Sequence, residues 1–214
     1  MSVQVWSDVD INVQSAIGAA LTITGITKAS PGVVTYTGTD PANGDYVRLS
    51  VQGMTELNNA YARVANVNGG ANTFELEGID TSAFGTFTSG SFQVVTLGTS
   101  LSIVTDVQVS GGDFDFIDTT TVHDKVKTQI PGAASPLVMN LTAQWQPDDL
   151  GLKALKAAGA AKAERGILIS FANGYKYVIG GYVGCTAAPG GSAQGVVTTP
   201  IVITGLGLGN AYAT

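Results

Sequence analysis

The fold is decided by residues 167–179, which have the sequence ILISFANGYKYVI. Ile, Val, Tyr and Phe dominate both ends of this stretch, and these residue types favour β-strands. Asn173 and Gly174 stand between the two ends, and Asn-Gly is the preferred pair for the type I′ turn of a two-residue β-hairpin. The stretch therefore predicts an antiparallel hairpin within a β-rich fold.

Upstream, residues 22–95 consist of short strand-like segments separated by turn residues. Polar and apolar residues alternate in 46–51 and 61–67, as expected for half-buried strands. The Asn-Gly-Gly sequence at 68–70 then turns the chain into 73–78, which predicts a further hairpin. We expect residues 22–95 to form a compact β-module.

The segment that follows is predicted to hold a broken strand and a loop. Gly111 and Gly112 interrupt a strand-like run at 101–121, and a β-bulge at the glycines would bring the apolar residues on both sides onto one face. These residues are Val107, Val109, Phe114 and Phe116. Polar and turn-forming residues then predict a loop from Val122 to Pro136.

One helix is predicted, between strands at 137–145 and 167–172. Pro147 suits the first helical position, and Gly166 suits the stop after a helix that runs from Pro147 to Glu164. A stripe at 3.6-residue spacing suits close packing on a sheet. The stripe consists of Leu150, Ala154, Ala157 and Ala161. The leucines expected to pack the helix onto the sheet are Leu150, Leu152 and Leu155.

Composition excludes several classes of protein. The 214 residues include 44% apolar but only 12% charged side chains, and the net charge of −6 argues against a nucleic-acid-binding surface. A single cysteine, Cys185, excludes an intrachain disulfide, and with the single histidine it excludes zinc sites built from Cys and His. Because no transmembrane or signal-peptide pattern is present, we expect a soluble protein of one domain or two small ones.

No constellation of catalytic or metal-binding residues emerges. His123 and Asp124 are adjacent, so on a strand they would point to opposite faces and the carboxylate could not orient the imidazole. The nearby aspartates do not fit a calcium loop, and we interpret them as a solvated acidic face, with a cation at a subunit interface as the alternative. Cys185 has no basic neighbour and is interpreted as a core residue. We predict no enzyme activity and no cofactor or metal.

Four pieces of the second half occur in the order of a known family. A strand with a polar loop, a strand that leads into a helix, an aliphatic hairpin and a closing pair of strands follow one another. They are Ile103–Val107 with Gly111–Thr121, Leu137–Trp145 with Gln146–Leu155, Ile167–Phe171 with Asn173-Gly174, and Gly180–Val183 with Thr198–Gly205. In this order, residues 96–207 resemble the major tail tube proteins of long-tailed, non-contractile bacteriophages, the lambda-like family.

Residues 22–95 lie outside that pattern. The segments 23–28, 53–58 and 74–76 carry a second resemblance. In these segments, residues 22–95 resemble a small β-barrel module of phage structural proteins that is labelled after a domain of the ubiquitin-activating enzyme, a label that implies no ubiquitin chemistry. The two resemblances imply a mainly β fold: a tail-tube β-sandwich or barrel with one packed α-helix in 1–21 and 96–214, and a small inserted β-barrel module in 22–95. We expect the module on the outer surface.

The resemblance to tail tube proteins implies a structural virion protein. Hexameric rings, in which the sheets join into one continuous β-barrel, would stack into the tail tube through which DNA passes to the host. The predicted loop would contact the neighbouring ring, and acidic residues would line the lumen, where like charge lets DNA slide. The candidate inter-ring residues are Val122, His123, Asp124, Lys125, Lys127 and Ile130. The candidate lumen-facing residues are Asp113, Asp115 and Asp118.

The implied partners are further copies of the chain, the tape measure protein, the tail terminator and the distal tail proteins. Double-stranded DNA would be a partner only in transit, and no membrane is implied. The protein would be located in the virion tail and assembled in the bacterial host cytoplasm.

Two other interpretations stay open. A carbohydrate-binding or adhesin-like β-sandwich would use exposed aromatic side chains, for which Tyr175, Tyr177 and Tyr182 are candidates. A tube protein of a related contractile injection machine would share the fold, but an outward-facing module would obstruct the sheath. An enzyme on a β-scaffold is disfavoured by the residue inventory.

Overall fold

A computed structural model describes residues 6–207 and 209–213. Within them the fold has fifteen strands, one α-helix and a single 3-10 turn at Thr55–Leu57. The helix α1 spans Leu150–Ala160. The strands are β1 (Asp10–Ile17), β2 (Leu21–Ile26), β3 (Val33–Tyr36), β4 (Tyr46–Gln52), β5 (Tyr61–Asn68), β6 (Thr73–Leu76), β7 (Ser89–Ser100), β8 (Val104–Ser110), β9 (Phe114–Asp118), β10 (Gln129–Ala134), β11 (Val138–Gln144), β12 (Glu164–Ser170), β13 (Lys176–Gly184), β14 (Thr198–Gly205) and β15 (Asn210–Tyr212).

Strands β2 to β7 form a closed six-stranded barrel. Their order is β2-β3-β6-β5-β4-β7, and pairing of β2 with β7 closes the ring of strands. The rings of Tyr36, Phe74 and Phe92 meet at the centre of the barrel, with centroids 5.1–5.5 Å apart. Closure leaves no free edge on this part of the sheet. The predicted fold class, mainly β with one helix and a small barrel, is confirmed.

The remaining strands of the large sheet curl around a second core. They follow the order β7-β1-β12-β13-β14-β11-β8, yet only residues 101–103 connect β7 to β8. The two ends of this strand order must therefore lie close together, so the sheet wraps into a sandwich. Ile11, Leu141, Ile167 and Ile201 come from four different strands and are all buried in the common core.

The hairpin expected at 167–179 is present, with a different turn. Strands β12 and β13 pair from Glu164–Tyr182 to Ser170–Lys176. Gly174 has φ +92°, and its backbone N–H donates to the carbonyl oxygen of Phe171 (2.8 Å). A type I′ turn requires positive φ at both central residues, and Asn173 does not have it. The connection is a β-turn at residues 171–174 that ends in a left-handed glycine, so the type I′ prediction is wrong.

The helix is shorter than predicted and buries a different face. It begins after Asp149, whose carboxylate accepts a hydrogen bond from Leu152 N (2.8 Å), and it ends at Ala160. Leu152 and Leu155 are buried in the sandwich core, whereas Leu150 is 71% exposed. The buried face also carries Gly151 and Ala158. The predicted stripe through Leu150 is therefore wrong, because the two large leucines and not the alanines determine which face packs.

The barrel is docked on the outer face of β12 and β13. Leu168 and Val178 point away from the sandwich core and are buried against Tyr46, Tyr61 and Val95 of the barrel. Both faces of β12 are thus covered, which explains its continuous apolar sequence.

Glycines make this docking possible. The ring of Tyr61 lies directly against Gly166 of β12 and Gly180 of β13, where a Cβ atom would overlap the ring. Strand β15 closes the contact from the other side, since the Tyr212 hydroxyl accepts a hydrogen bond from Arg63 N (2.9 Å) and Asn210 Nδ2 donates to Tyr61 O (2.8 Å). The barrel is therefore held against the sandwich by close packing and by hydrogen bonds between side chains and the backbone.

Replacing Gly180 by Ala tests this contact. We expect the free energy of unfolding to fall by about 1–3 kcal/mol, because the new methyl group must displace the Tyr61 ring. Gly25→Ala is the control, since Gly25 has an ordinary φ and a Cβ atom added there would have no heavy atom within 4 Å. Urea denaturation of both variants measures the difference, and equal stability of the two would contradict the proposed packing.

Candidate assembly surfaces

Strands β8 and β11 continue beyond the sandwich as a two-stranded arm, residues 111–136. Gly112 N donates to Ser135 O (3.2 Å) and Ser135 N donates to Asp113 O (2.8 Å), which bridges the strand pairs on either side. Beyond this bridge, β9 pairs only with β10 in a separate sheet. All residues from 113 to 131 are exposed. The arm therefore projects from the body of the molecule.

Two glycines let the chain leave the sheet. Gly111 and Gly112 have φ of +80° and +84°, a conformation that residues with a Cβ atom rarely adopt. A Cβ atom on Gly111 would also overlap the carbonyl oxygen of Pro136. The predicted bulge is wrong, because the chain exits the sheet here and the apolar residues of β9 stand on the arm and not on the face of β8.

The arm carries apolar side chains on both of its faces. Phe116 lies opposite Pro131 on one face, and Ile117 lies opposite Ile130 on the other. The large apolar residues exposed on the arm are Phe114, Phe116, Ile117, Val122, Val126 and Ile130. A two-stranded ribbon has no core of its own, and a cluster of exposed apolar residues marks an interaction surface.

The tip of the arm, residues 119–128, is organised by local hydrogen bonds. Thr119 N donates to Thr128 O (2.9 Å), and Asp124 accepts from the Thr121 N–H (2.8 Å) and hydroxyl (2.9 Å). These bonds lower the pKa of the Asp124 carboxyl. The tip holds the expected inter-ring residues Val122, His123, Asp124, Lys125 and Lys127. The predicted loop from Val122 to Pro136 is wrong in its second half, which forms β10 and includes Ile130.

The three acidic residues expected to face a lumen all lie on the arm or at its base. Asp113 precedes β9, Asp115 lies within it and Asp118 ends it. Side chains alternate along a strand, so Asp115 and Asp118 point to opposite faces. Asp118 also accepts a hydrogen bond from Thr120 N (2.8 Å), which ties its carboxylate to the tip. These aspartates therefore do not share one face.

A second uncovered surface is the edge of the large sheet. Strand β8 pairs with β11 on one side, and in the described part of the chain no strand pairs with its other side. Val109 is exposed on this strand. An open edge presents unpaired N–H and C=O groups to any further strand.

Sequence reasoning missed the apolar surface of the arm. It placed Phe114 and Phe116 in the sheet and did not single out Ile117 or Val126. The sequence does contain a pattern that could have located this surface. An aromatic strand that is bounded by Gly-Gly and by polar residues has no apolar segment nearby against which it could pack.

The described residues hold little that could perform catalysis. They contain no group of three His, Cys, Asp or Glu side chains that could bind a metal ion. His123 is exposed at the tip of the arm, and burial raises the pKa of the Cys185 thiol, which keeps it protonated. Among the described residues, no helix has the length and apolar character needed to span a membrane.

Uncovered strand surfaces on a well-packed core are typical of structural subunits that assemble with other chains. Comparison with known families agrees: residues 52–213 match the family described as phage tail tube protein, TTP. The match covers about three quarters of the 214 residues, and the chain belongs to this family. The protein is thus a structural component of the bacteriophage tail, located in the virion. A comparison with curated proteins found no significant match.

The family match begins at Gln52, the last residue of β4, and so includes strands of the barrel. The division of the chain into a tube domain (1–21 and 96–214) and an inserted module (22–95) stays a prediction.

The two leucines at different positions of α1 give a direct test of the packing. Leu155→Asp should lower the free energy of unfolding by about 4 kcal/mol or more, because it buries an unpaired charge. Leu150→Asp should change it by less than about 0.5 kcal/mol, because this side chain is exposed in the first helical turn. Circular dichroism during thermal unfolding compares them, and a Leu150→Asp variant as unstable as Leu155→Asp would contradict the assigned face.

Proposed function

We propose that this chain forms hexameric rings that stack into the tail tube and that DNA passes through the tube to the host. The observation that carries the proposal is the presence of two uncovered surfaces on one subunit: the open edge of β8 and the apolar arm. Two distinct contacts are what a stacked tube requires, one within a ring and one between rings.

The β8 edge supports the contact within a ring. A strand edge of one copy that pairs with a different part of the next copy makes a heterologous contact, and such contacts close into a ring when the rotation allows. Pairing around the ring would join the sheets into one β-barrel and leave no exposed edge. The acceptor edge on the neighbouring copy is part of the proposal.

The arm supports the contact between rings. It projects beyond the sandwich, and its apolar side chains are available on both faces. Burial of apolar surface stabilises an interface by about 25 cal/mol per Å² before the costs of association. The tip residues Val122, His123, Asp124, Lys125 and Lys127, together with Ile130, would meet the adjacent ring.

The finer identity also belongs to the proposal. We assign the protein to a lambda-like, sheathless tail, assembled in the host cytoplasm with the tape measure, tail terminator and distal tail proteins as partners. The barrel is docked on the face of β12–β13 opposite the sandwich core, which supports its placement on the outer surface. An outward barrel would obstruct the sheath of a contractile machine, so that alternative is less favoured.

Negative-stain electron microscopy of the purified protein, dilute and concentrated, tests the assembly directly. Hollow tubes or six-fold rings are the expected result. Particles that stay monomeric at every concentration, and also when tail-tip proteins are added as initiators, would contradict the proposal.

The arm can be tested separately from folding. In the double variant Phe116→Ser/Ile117→Ser, we expect tubes to be lost while the melting temperature stays within a few degrees of the wild type, because both side chains are exposed in the subunit. Val196→Ser is the matched control, since Val196 is 65% exposed but lies outside the arm. Normal tubes from the double variant, counted by electron microscopy, would rule out the arm as a stacking element.

The acidic lining makes a prediction for DNA transfer. If Asp113 and Asp115 face the lumen, they repel phosphate and keep DNA mobile. A phage that carries Asp113→Lys and Asp115→Lys should assemble tails but deliver DNA slowly, whereas the conservative Asn variants should have a smaller effect. Infectivity and potassium-efflux assays measure the delay. Normal delivery of DNA by the Lys variant would contradict the placement of Asp113 and Asp115 in the lumen.

A further inference from the structure

A polar cleft lies where the barrel meets the amino-terminal end of β12 and the residues that follow the helix. Its volume is about 440 Å³. We call it the junction cleft, and it is lined by Gln14, Ile17, Arg48, Tyr61, Gln93, Lys162, Ala163, Glu164, Arg165 and Tyr182. It uses none of the residues of the arm or of the β8 edge.

The cleft is positively charged although the chain is acidic. Three of its lining residues are cationic, and Glu164 is the only acidic one. Glu164 forms an ion pair with Arg48, so its charge is already neutralised. Lys162 and Arg165 form no ion pair with any residue in the described part of the chain. Two cationic residues without an ionic partner in the described part of the chain therefore line this cleft, in a protein whose net charge is −6, and Arg165 Nη1 also donates to Glu164 O (3.0 Å).

The floor of the cleft also presents a hydrogen-bond donor. Gln14 is only 7% exposed, and its Oε1 accepts from Gly166 N (2.9 Å) and from the Tyr61 hydroxyl (3.4 Å). Its Nε2 has no acceptor among the described residues and is not fully buried, so it can donate to a ligand or to water. The free groups of the cleft are thus donors and cations, which suits a ligand that is an acceptor and an anion.

Lys162 occupies a position that would suit glycine better. It follows the helix with φ +50°, its N–H donates to Gly159 O (3.1 Å), and Ala163 N donates to Ala158 O (2.9 Å). This is the hydrogen-bond pattern of a Schellman cap, in which glycine is the usual residue at the left-handed position. The chain places a cation at the rim of the cleft in spite of this backbone strain, which is consistent with a role for its charge.

The rim adds apolar surface next to the charges. The Tyr182 ring is 50% exposed, and Ile17 is exposed beside it. Binding sites for small molecules commonly combine an aromatic wall with a few placed polar groups. A sugar ring that carries an acidic group has a matching character, with a C–H face for the tyrosine, hydroxyl groups for the amides and an anion for the cations.

We propose that the junction cleft binds an acidic saccharide, in which Lys162, Arg165 and the Gln14 amide hold a carboxylate or phosphate group and Tyr182 packs against the sugar ring. The proposal goes beyond the tube function and does not depend on assembly, because every residue of the cleft belongs to one chain.

Titration calorimetry with the purified full-length protein tests it, with oligogalacturonate as the probe. The comparison ligands are a neutral malto-oligosaccharide of the same length, inorganic phosphate and oligoglutamate of the same charge. We expect oligogalacturonate to bind at least about tenfold more tightly than each comparison ligand, with an affinity that falls as salt is added. Equal binding of inorganic phosphate would reduce the cleft to a simple oxyanion site, and tighter binding of oligoglutamate would assign it to an acidic protein segment. Either result, or no binding at all, would overturn the proposal.

Three variants place the binding in the cleft. Lys162→Gly and Arg165→Gln should each weaken oligogalacturonate binding by about tenfold, the expected loss for one charge-assisted hydrogen bond. Lys162→Gly should not lower the melting temperature, because glycine relieves the strained cap, so its loss of affinity cannot come from unfolding.

Tyr182→Ala should weaken binding of the saccharide but not of inorganic phosphate. Lys156→Gln, an exposed lysine outside the cleft, is the control and should bind like the wild type. Unchanged affinity in the two charge variants would refute the site.

Discussion

The structure depends on strand β7, which belongs to both cores. Residues from Ser89 to Val95 pair with β4, and Gly90 to Phe92 also pair with β2, which closes the barrel. Residues from Val95 to Ser100 pair with β1 and begin the sandwich. One continuous strand therefore fixes the position of each core relative to the other. The packing of Tyr61 on Gly166 and Gly180 adds a second contact between the barrel and the sandwich, beyond the shared strand.

This packing of the barrel on the sandwich covers several strand edges and faces. Closure covers the edges of the barrel, and docking on the barrel covers the outer face of β12 and β13. In the described part of the chain, the edge of β8 and the arm that continues from it remain uncovered. Because both belong to the same hairpin, the contact within a ring and the contact between rings would be mechanically coupled in the proposed tube.

Local chemistry explains which parts of the fold the sequence could predict. The hairpin at β12–β13 and the strands of the barrel carry alternating or continuous apolar patterns with clear turn residues between them. Predictions failed where a non-local contact decided the outcome. Pro131 and Gly132 resemble loop residues, yet an edge strand such as β10 tolerates proline. The alanine stripe of the helix suggested one face, and the burial of Leu152 and Leu155 selected another.

The candidate sites show the same division. The arm could have been located from its aromatic strand and flanking glycines, since these lie together in the chain. The junction cleft could not, because Gln14, Arg48, Arg165 and Tyr182 come from four separate strands and meet only when the barrel docks. No short sequence motif can predict a cleft whose residues are so far apart in the chain.

Hydrogen–deuterium exchange, compared between the free subunit and the assembled state, tests the central claim most directly. The account predicts strong new protection of backbone amides in β8 and the arm on assembly, with little change in the barrel, whose amides are already paired. Unchanged exchange in β8 and the arm, with new protection confined to the barrel, would contradict the proposed mode of assembly.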